Sequence, residues 1–155
     1  MLFRFNDPIL QVRSTGMGAS IQDAGRPGWR ALGVPTGGFM DPDAARSANR
    51  LVGNSPGAPV IEWLFHGGNV AFLKPAWIAV TGADGASVPM GTPIPMPAGS
   101  TLELIPGKTG VWKYLAIQGG FVSQLHFGSA SHDPRSHLGT PIAPGIRLSA
   151  AVPSG

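Results

Sequence analysis

Short runs of β-branched, aromatic and other hydrophobic residues recur along most of the chain, and glycine, proline or asparagine separates one run from the next. Such runs are typical of β-strands bounded by turns. Their spacing of roughly ten residues favours an all-β barrel or sandwich. We predict strands in the segments ILQVRS (9–14), VIEWLFH (60–66), NVAFL (69–73), WIAVTG (77–82), STLELI (100–105) and VWKYLAIQG (111–119).

One segment, FMDPDAARSANRLVGN, has the apolar spacing of a helix. Its alanine, leucine and valine residues recur at intervals of three and four, which places them on one helical face. Asp41 is suited to the N-cap and Pro42 to the first turn, whereas Gly53 and Asn54 can end the helix. We therefore predict one short helix from about residue 42 to residue 52.

The composition limits the classes of function. Charged residues make up only 12% of the chain and hydrophobic residues 43%, so a protein partner is expected to cover part of the surface. The net charge is +3, but lysine and arginine are scattered, which argues against nucleic-acid binding. The absence of cysteine excludes disulfides and cysteine-ligated metals. Since no apolar run has membrane-spanning length, we expect a cytoplasmic protein without a membrane partner.

The stretch ASIQDAGRPGWRALGVPTGGFMD (19–41), the glycine-rich loop, concentrates glycine and proline. These residues weaken helices and strands, so we predict an ordered but irregular segment. If the segment is ordered, its apolar residues must be buried. These residues are Trp29, Leu32, Val34 and Phe39.

Polar residues in the glycine-rich loop are the first candidates for a site. Asp23 and Arg26 either form an ion pair that pins their own loop or act as catalytic groups that position a substrate. A fixed arginine can bind a carboxylate through two hydrogen bonds. Gln22 is a further candidate for substrate binding. Glu62 interrupts an apolar strand, and if it is buried it needs a partner, for which an arginine from the loop would serve.

Two glycine-flanked turns are candidates for anion binding. The first would bring Thr36, Gly37 and Gly38 beside the helix N-terminus, where backbone N–H groups favour a phosphate, carboxylate or bicarbonate. Asp41 would either cap this helix or contact a ligand directly. The second turn lies in VTGADGAS and includes Thr81. Neither turn has the lysine of a nucleotide P-loop, so two ordinary tight turns are an equal alternative.

The segment HFGSASHDPRSH (126–137) contains three histidines. Their spacing matches no common ligand motif, so we predict histidines in surface loops and no metal site. Ser129 and Ser131 stand beside His132 and Asp133, but adjacent residues rarely align a nucleophile, a base and an orienting acid in space. A serine-hydrolase triad is therefore a weak hypothesis, and the two serines are kept as candidates for binding a substrate or an anion.

Several motifs occur in the order found in one family: SIQDAGRPGWRALGVPTGGFMD, ANRLVGN, APVIEW, VTGAD, YLAIQGG and FGSASHD. On these motifs the chain resembles the allophanate hydrolase subunit 2 family, also described as the biotin-dependent carboxyltransferase domain. That family includes the C subunit of bacterial 5-oxoprolinase and the carboxyltransferase region of urea amidolyase. The resemblance covers the first half of a member, and it departs at Thr140 and Ile146, where the family has a glycine and an acid.

The resemblance implies one cyclophilin-like β-barrel domain over residues 1–155, with the short helix, and a partner of related fold, the subunit 1 type. A homo-oligomer is the other possible assembly. The implied function is a subunit-type domain of an ATP-dependent amide hydrolase or a biotin-dependent carboxyltransferase. Its substrate would be a small carboxylate or amide, with ATP or carboxybiotin as the cofactor of the whole complex. The alternative is a non-catalytic regulatory or scaffold module, and activity of this half alone stays open.

Overall fold

Residues 7–151, which the computed structural model of the chain describes, form nine short strands and one α-helix. The helix, α1, extends from Pro42 to Leu51, and a single 3₁₀ turn occupies Arg30–Leu32. The strands are β1 (Leu10–Thr15), β2 (Ala19–Gln22), β3 (Val60–Leu64), β4 (Gly68–Phe72), β5 (Ala76–Gly82), β6 (Ile94–Met96), β7 (Thr101–Glu103), β8 (Trp112–Ile117) and β9 (Arg147–Leu148).

The strands form two antiparallel sheets. The first has the order β7–β4–β1–β9, and the second has the order β2–β3–β8–β5–β6. All the predicted strands are present, and their ends lie within two residues of the predicted ones. The mainly β class with one short helix is therefore confirmed. The described strands do not close into a barrel, so the cyclophilin-like barrel stays a prediction.

The glycine-rich loop is not irregular over its whole length, and the prediction is wrong for its first four residues. These residues form β2, which pairs with β3 so that Ile21 lies opposite Ile61. Both side chains are fully buried, and this burial stabilises the strand. The four residues themselves have only a weak preference for strands. The irregular backbone begins at Asp23.

The main hydrophobic core lies between the two sheets. Leu10 and Phe72 from the first sheet meet Ile61 and Leu115 from the second, and all of them are buried. Burying a side chain of this size contributes about 1.5–3 kcal/mol relative to leaving it exposed. Since side chains alternate along a strand, the other face of the second sheet is left for the helix.

Helix α1 covers that second face. Its Ala45 and Ala48 are buried against Ala79 and Tyr114 of the sheet. The carboxylate of Asp41 accepts a hydrogen bond from the N–H of Ala44, which confirms the predicted N-cap. In the part of the chain that the structure describes, no helix has the length and hydropathy needed to cross a bilayer.

Candidate functional site

The carboxylate of Asp23 is the centre of a buried hydrogen-bond network. It accepts from the hydroxyls of Ser129 and Ser131 at 2.5 and 2.9 Å, and from the backbone N–H groups of Gly25 and Ala130 at 2.9 and 2.7 Å. Asp23 is only 8% exposed, and both serines are fully buried. These donors occupy the acceptor positions of the carboxylate and offset the free-energy cost of burying it.

Arg26 binds the same distant segment through its backbone carbonyls. Nε donates to the carbonyl of His126 at 3.1 Å, and Nη2 donates to those of Ser129 and Ser131 at 3.3 and 2.5 Å. Arg26 is 1% exposed, and its Nη1 has no acceptor among the described residues. Asp23 and Arg26 do not bond to each other, so the predicted ion pair is wrong. Each of them instead holds the segment from residue 126 to residue 131.

Gln22 extends this network by one residue. Its Nε2 donates to the carbonyl of His132 and to the hydroxyl of Ser20, both at 3.0 Å. In return, the N–H of His132 donates to the carbonyl of Ile21 at 2.9 Å. The structure therefore brings Gln22, Asp23, Arg26, Ser129 and Ser131 together, although the sequence separates the two groups by about a hundred positions.

The histidines and serines do not form a hydrolase triad. Both serine hydroxyls donate to Asp23, and the carboxylate of Asp133 accepts instead from backbone N–H groups of its own turn. Burial lowers the pKa of His132, and the charge of Asp133 opposes this effect. His137 is exposed, whereas His132 is half-buried. Among residues 7–151, no three histidine, aspartate or glutamate side chains lie close enough together to hold a metal ion.

The second part of the glycine-rich loop packs tightly on the first. The N–H of Arg26 donates to the carbonyl of Thr36 at 2.7 Å. A Cβ atom at Gly25, where φ is +88°, would lie 2.8 Å from the same carbonyl oxygen, and one at Gly38 would lie 3.2 Å from that of Ala24. Only glycine fits this close approach with a left-handed backbone. Thr36, Gly37 and Gly38 thus support Asp23 and Arg26.

The backbone N–H groups before helix α1 are bound by the protein's own side chains. The N–H of Met40 donates to Glu62 Oε2 at 2.8 Å, and that of Asp41 donates to the hydroxyl of Tyr114 at 2.8 Å. The same hydroxyl donates to Glu62 Oε2 at 2.7 Å. The predicted arginine partner of Glu62 is therefore wrong. The carboxylate of Glu62 and the hydroxyl of Tyr114 thus accept from two N–H groups that an anion would need. The anion site at the helix N-terminus stays a prediction.

Burial dominates the ionisation of this pair. It raises the pKa of Glu62, although the hydrogen bonds from Met40 and Tyr114 lower it. Burial also raises the pKa of Tyr114. Thr81 lies under the same end of the helix, where its hydroxyl donates to the carbonyl of Ala44 at 2.6 Å. Thr81 and Asp41 are thus placed at the start of α1, and the bonds of their side chains do not involve the Asp23 network.

A second polar cluster lies at one end of the core and includes Asp84 and Gly85 of the predicted turn VTGADGAS. The sequence pointed to this turn but not to Lys113. Lys113 occupies the same face of β8 as Leu115 and Ile117 and is only 1% exposed. Its Nζ donates to the carbonyls of Gly85 and Ile105, both at 2.6 Å. The available signal was a lysine on the core-facing side of an otherwise apolar strand.

A cavity of about 50 Å³ opens beside this lysine and is lined by Phe65, Asp84, Thr109 and Lys113, among others. The carboxylate of Asp84 accepts from the N–H groups of Lys108 and Thr109, at 2.9 and 2.8 Å, and from the Thr109 hydroxyl at 3.1 Å. These bonds hold the pKa of Asp84 at about 2. Burial lowers the pKa of Lys113, and the charge of Asp84 opposes this effect. An amine and an ionised carboxylate therefore line one cavity.

Exposed apolar side chains lie on the glycine-rich loop and on residues 125–127, and two of them bring these loops into contact. The rings of Trp29 and Phe127 lie 5.0 Å apart, and these residues are 38% and 44% exposed. Leu32 and Leu125 are 71% and 60% exposed. We call these four residues the Trp29–Phe127 patch. The prediction that Trp29 and Leu32 are buried is wrong, because their loop leaves them on the surface.

Known proteins are similar in sequence to this chain over most of its length. A profile of the carboxyltransferase domain, subdomain A and B, matches residues 32–154. The C subunit of the 5-oxoprolinase of Escherichia coli is 36% identical over 137 residues, which cover 84% of this chain and 44% of that protein. Urea amidolyase of Saccharomyces cerevisiae is 35% identical over 136 residues, which cover 83% of this chain and 7% of that protein.

Solved structures share the fold. The crystal structure of TTHA0988 superposes with a TM-score of 0.89 at 34% identity and covers 94% of this chain and 31% of that one. The urea amidolyase of K. lactis superposes with a TM-score of 0.85 at 28% identity and covers 99% of this chain and 10% of that one. The chain spans less than half the length of the curated relatives described above.

Proposed function

Because the chain belongs to the family of the carboxyltransferase domain, subdomain A and B, we propose that it is a subunit-type domain of an ATP-dependent amide hydrolase or a biotin-dependent carboxyltransferase. The hydrolase would be related to 5-oxoprolinase or allophanate hydrolase. The observation that carries the proposal is 36% identity to the C subunit of a 5-oxoprolinase along 84% of the chain. Residues 1–155 would form a single cytoplasmic domain, with a cyclophilin-like barrel built from the two sheets.

The proposed partner is a protein of the subunit 1 type. The Trp29–Phe127 patch supports this part of the proposal, because exposed apolar surface that includes aromatic side chains is typical of protein–protein interfaces. Two loops distant in sequence form the patch, and Arg26 joins them through the carbonyls of His126 and Ser129. A partner that covers the patch would remove its apolar surface from water.

Arg26 offers one feature for substrate positioning. Nη1 is the guanidinium nitrogen that has no acceptor among the described residues. A Cβ atom at Gly37 would lie 3.4 Å from both Nη1 and the Cβ atom of Ser131. A carboxylate or a carbonyl oxygen of a substrate could accept from Nη1 at this point once the loop opens. Asp23 would then act as a positioning residue that holds Ser131.

The test is reconstitution with a subunit 1 type protein. We expect the two proteins to co-elute in size-exclusion chromatography, and the complex to cleave 5-oxoproline with ATP or to transfer the carboxyl group of carboxybiotin to urea. Leu32→Glu should abolish co-elution, whereas Leu73→Glu, at another exposed leucine, should not. Arg26→Ala should lower turnover while assembly persists, and Arg30→Ala should not. Failure of the unaltered proteins to associate or turn over would contradict the proposal.

A non-catalytic regulatory or scaffold module is the second candidate. The burial of Asp23 and Arg26 favours it, since both side chains are engaged in holding the protein's own backbone. Such a module would still bind its partner through the Trp29–Phe127 patch. For such a module, we expect the complex to assemble normally and Arg26→Ala to leave its turnover unchanged.

A further inference from the structure

The cavity beside Lys113 has no part in the contacts that hold the glycine-rich loop. We propose that Lys113 and Asp84 form a two-point binding site for a small neutral molecule that carries a carbonyl oxygen next to an N–H group. The carbonyl oxygen would accept from Lys113 Nζ, and the N–H group would donate to the carboxylate of Asp84. This inference deepens the proposed function, on which it rests for the role of the ligand as a substrate.

Lys113 retains one donor for a ligand. An ammonium group has three N–H donors, and the carbonyls of Gly85 and Ile105 take two of them. Since Lys113 lines the cavity, the third donor can reach a ligand there. Gly85 makes this arrangement possible, because a Cβ atom at that position would clash with the carbonyl of Ile105.

Asp84 retains acceptor capacity. A carboxylate accepts about four hydrogen bonds. The N–H of Thr109 and the hydroxyl of Thr109 both donate to Oδ1, whereas Oδ2 receives its closest donor, at 2.9 Å, from the N–H of Lys108. Oδ2 can therefore accept a further hydrogen bond from a ligand in the cavity.

The two charges select a neutral ligand. The side chains of Lys113 and Asp84 line the same cavity without forming an ion pair. An anion would be attracted to the ammonium group and repelled by the carboxylate. A cation would be attracted to the carboxylate and repelled by the ammonium group. A group with adjacent acceptor and donor atoms interacts favourably with both. An amide has these atoms in one plane.

The size and the rim of the cavity agree with a small ligand. A volume of 50 Å³ holds roughly three to five water-sized atoms, which fits acetamide or urea and excludes a nucleotide. Phe65, at the mouth, has a φ of +56°, which is uncommon outside glycine and often marks a functional site. The side chain of Phe65 is 39% exposed and adds apolar surface to the lining of the cavity, as is common in ligand sites.

The test is an NMR titration of the ¹⁵N-labelled full chain, without partner, ATP or biotin. We expect acetamide to shift the amide signals of Gly85, Thr109 and Gly110, and sodium acetate and methylammonium chloride to leave them in place. Lys113→Met and Asp84→Asn should each weaken acetamide binding at least about tenfold, because each removes a charge-assisted hydrogen bond. Lys74→Met, at an exposed lysine outside the lining of the cavity, should change nothing.

The unaltered chain alone decides the outcome if a variant does not fold. Absence of acetamide-dependent shifts near the cavity would overturn the proposal, and so would acetate binding with equal affinity. Because the measurement needs no partner, failure of the reconstituted complex to turn over would leave this result standing. Conversely, the complex could be active while the isolated chain does not bind acetamide. That result would refute the Lys113 site and leave the proposed function supported.

Discussion

Asp23→Ala is the substitution that tests the central network most directly. It removes a carboxylate that accepts from two serine hydroxyls and from the backbone N–H groups of Gly25 and Ala130. The N–H of Ala130 and both hydroxyls are buried, so water cannot readily replace the carboxylate. Gly25 is only half-buried, and its N–H can turn to water.

The magnitude follows from the number of buried donors that lose their acceptor. Each buried donor left unsatisfied costs about 1–3 kcal/mol, and a hydroxyl that rotates to another acceptor recovers part of this. Ser131 can do so only partly, since its oxygen already accepts from the N–H of Asp23. We expect a loss of roughly 3–5 kcal/mol from the free energy of unfolding. A domain with a total of about 5–15 kcal/mol would then be marginally stable.

Urea denaturation followed by tryptophan fluorescence measures this loss, with Trp63 as a reporter in the core. A slope of about 2 kcal/mol per molar urea converts the expected loss into a midpoint lower by about 1.5–2.5 M. Asp133→Ala is the matched control, because Asp133 also accepts from two backbone N–H groups, those of Arg135 and Ser136, but near the solvent. Its expected cost is below about 1 kcal/mol.

Two results would refute this reasoning. The first is an Asp23→Ala protein that unfolds within about 1 kcal/mol of the unaltered chain, which would mean that the buried donors find other acceptors. The second is an equal loss for Asp133→Ala, which would show that burial does not determine the cost. A reduced slope alongside a lowered midpoint would instead indicate partial unfolding of the native state.

Three further substitutions give expected outcomes. Asp41→Ala should lower the free energy of unfolding by about 1 kcal/mol, since it removes the cap from the N–H of Ala44; thermal unfolding checks this, and Asp43→Ala should cost less. Burial raises the pKa of Glu62, so its contribution to stability is full below pH 4.5 and is lost as the pH rises through the folded-state pKa; Glu62→Gln should abolish this loss in urea titrations at several pH values. The lowered pKa of Asp84 has the opposite sign, so its contribution is present above pH 3.8 and is lost as the pH falls towards about 2; Asp84→Asn should remove this acid-dependent loss.

The sequence determined the elements that depend on neighbouring residues. Runs of β-branched and aromatic residues between glycine, proline or asparagine predicted β1, β3, β4, β5, β7 and β8, because strand preference and turn chemistry act over a few residues. Asp41 and Pro42 marked the start of the helix for the same reason, since an N-cap binds an N–H group of the next turn. The glycine-rich loop was recognised as ordered, and three of its candidate polar residues, Gln22, Asp23 and Arg26, do come together on one distant segment.

Only the tertiary structure decided which of these residues meet. Asp23 and Ser129 are separated by 106 positions, and no local preference links them. Glu62 received Tyr114 rather than an arginine because β3 and β8 are neighbours that pair these two residues directly. Lys113 had no distinguishing feature in the sequence beyond its place in a strand. In the structure, its amine donates to the carbonyls of Gly85 and Ile105. Contacts of this kind follow from chain topology. The topology is selected by the burial of apolar side chains between two sheets, and short sequence patterns do not encode it.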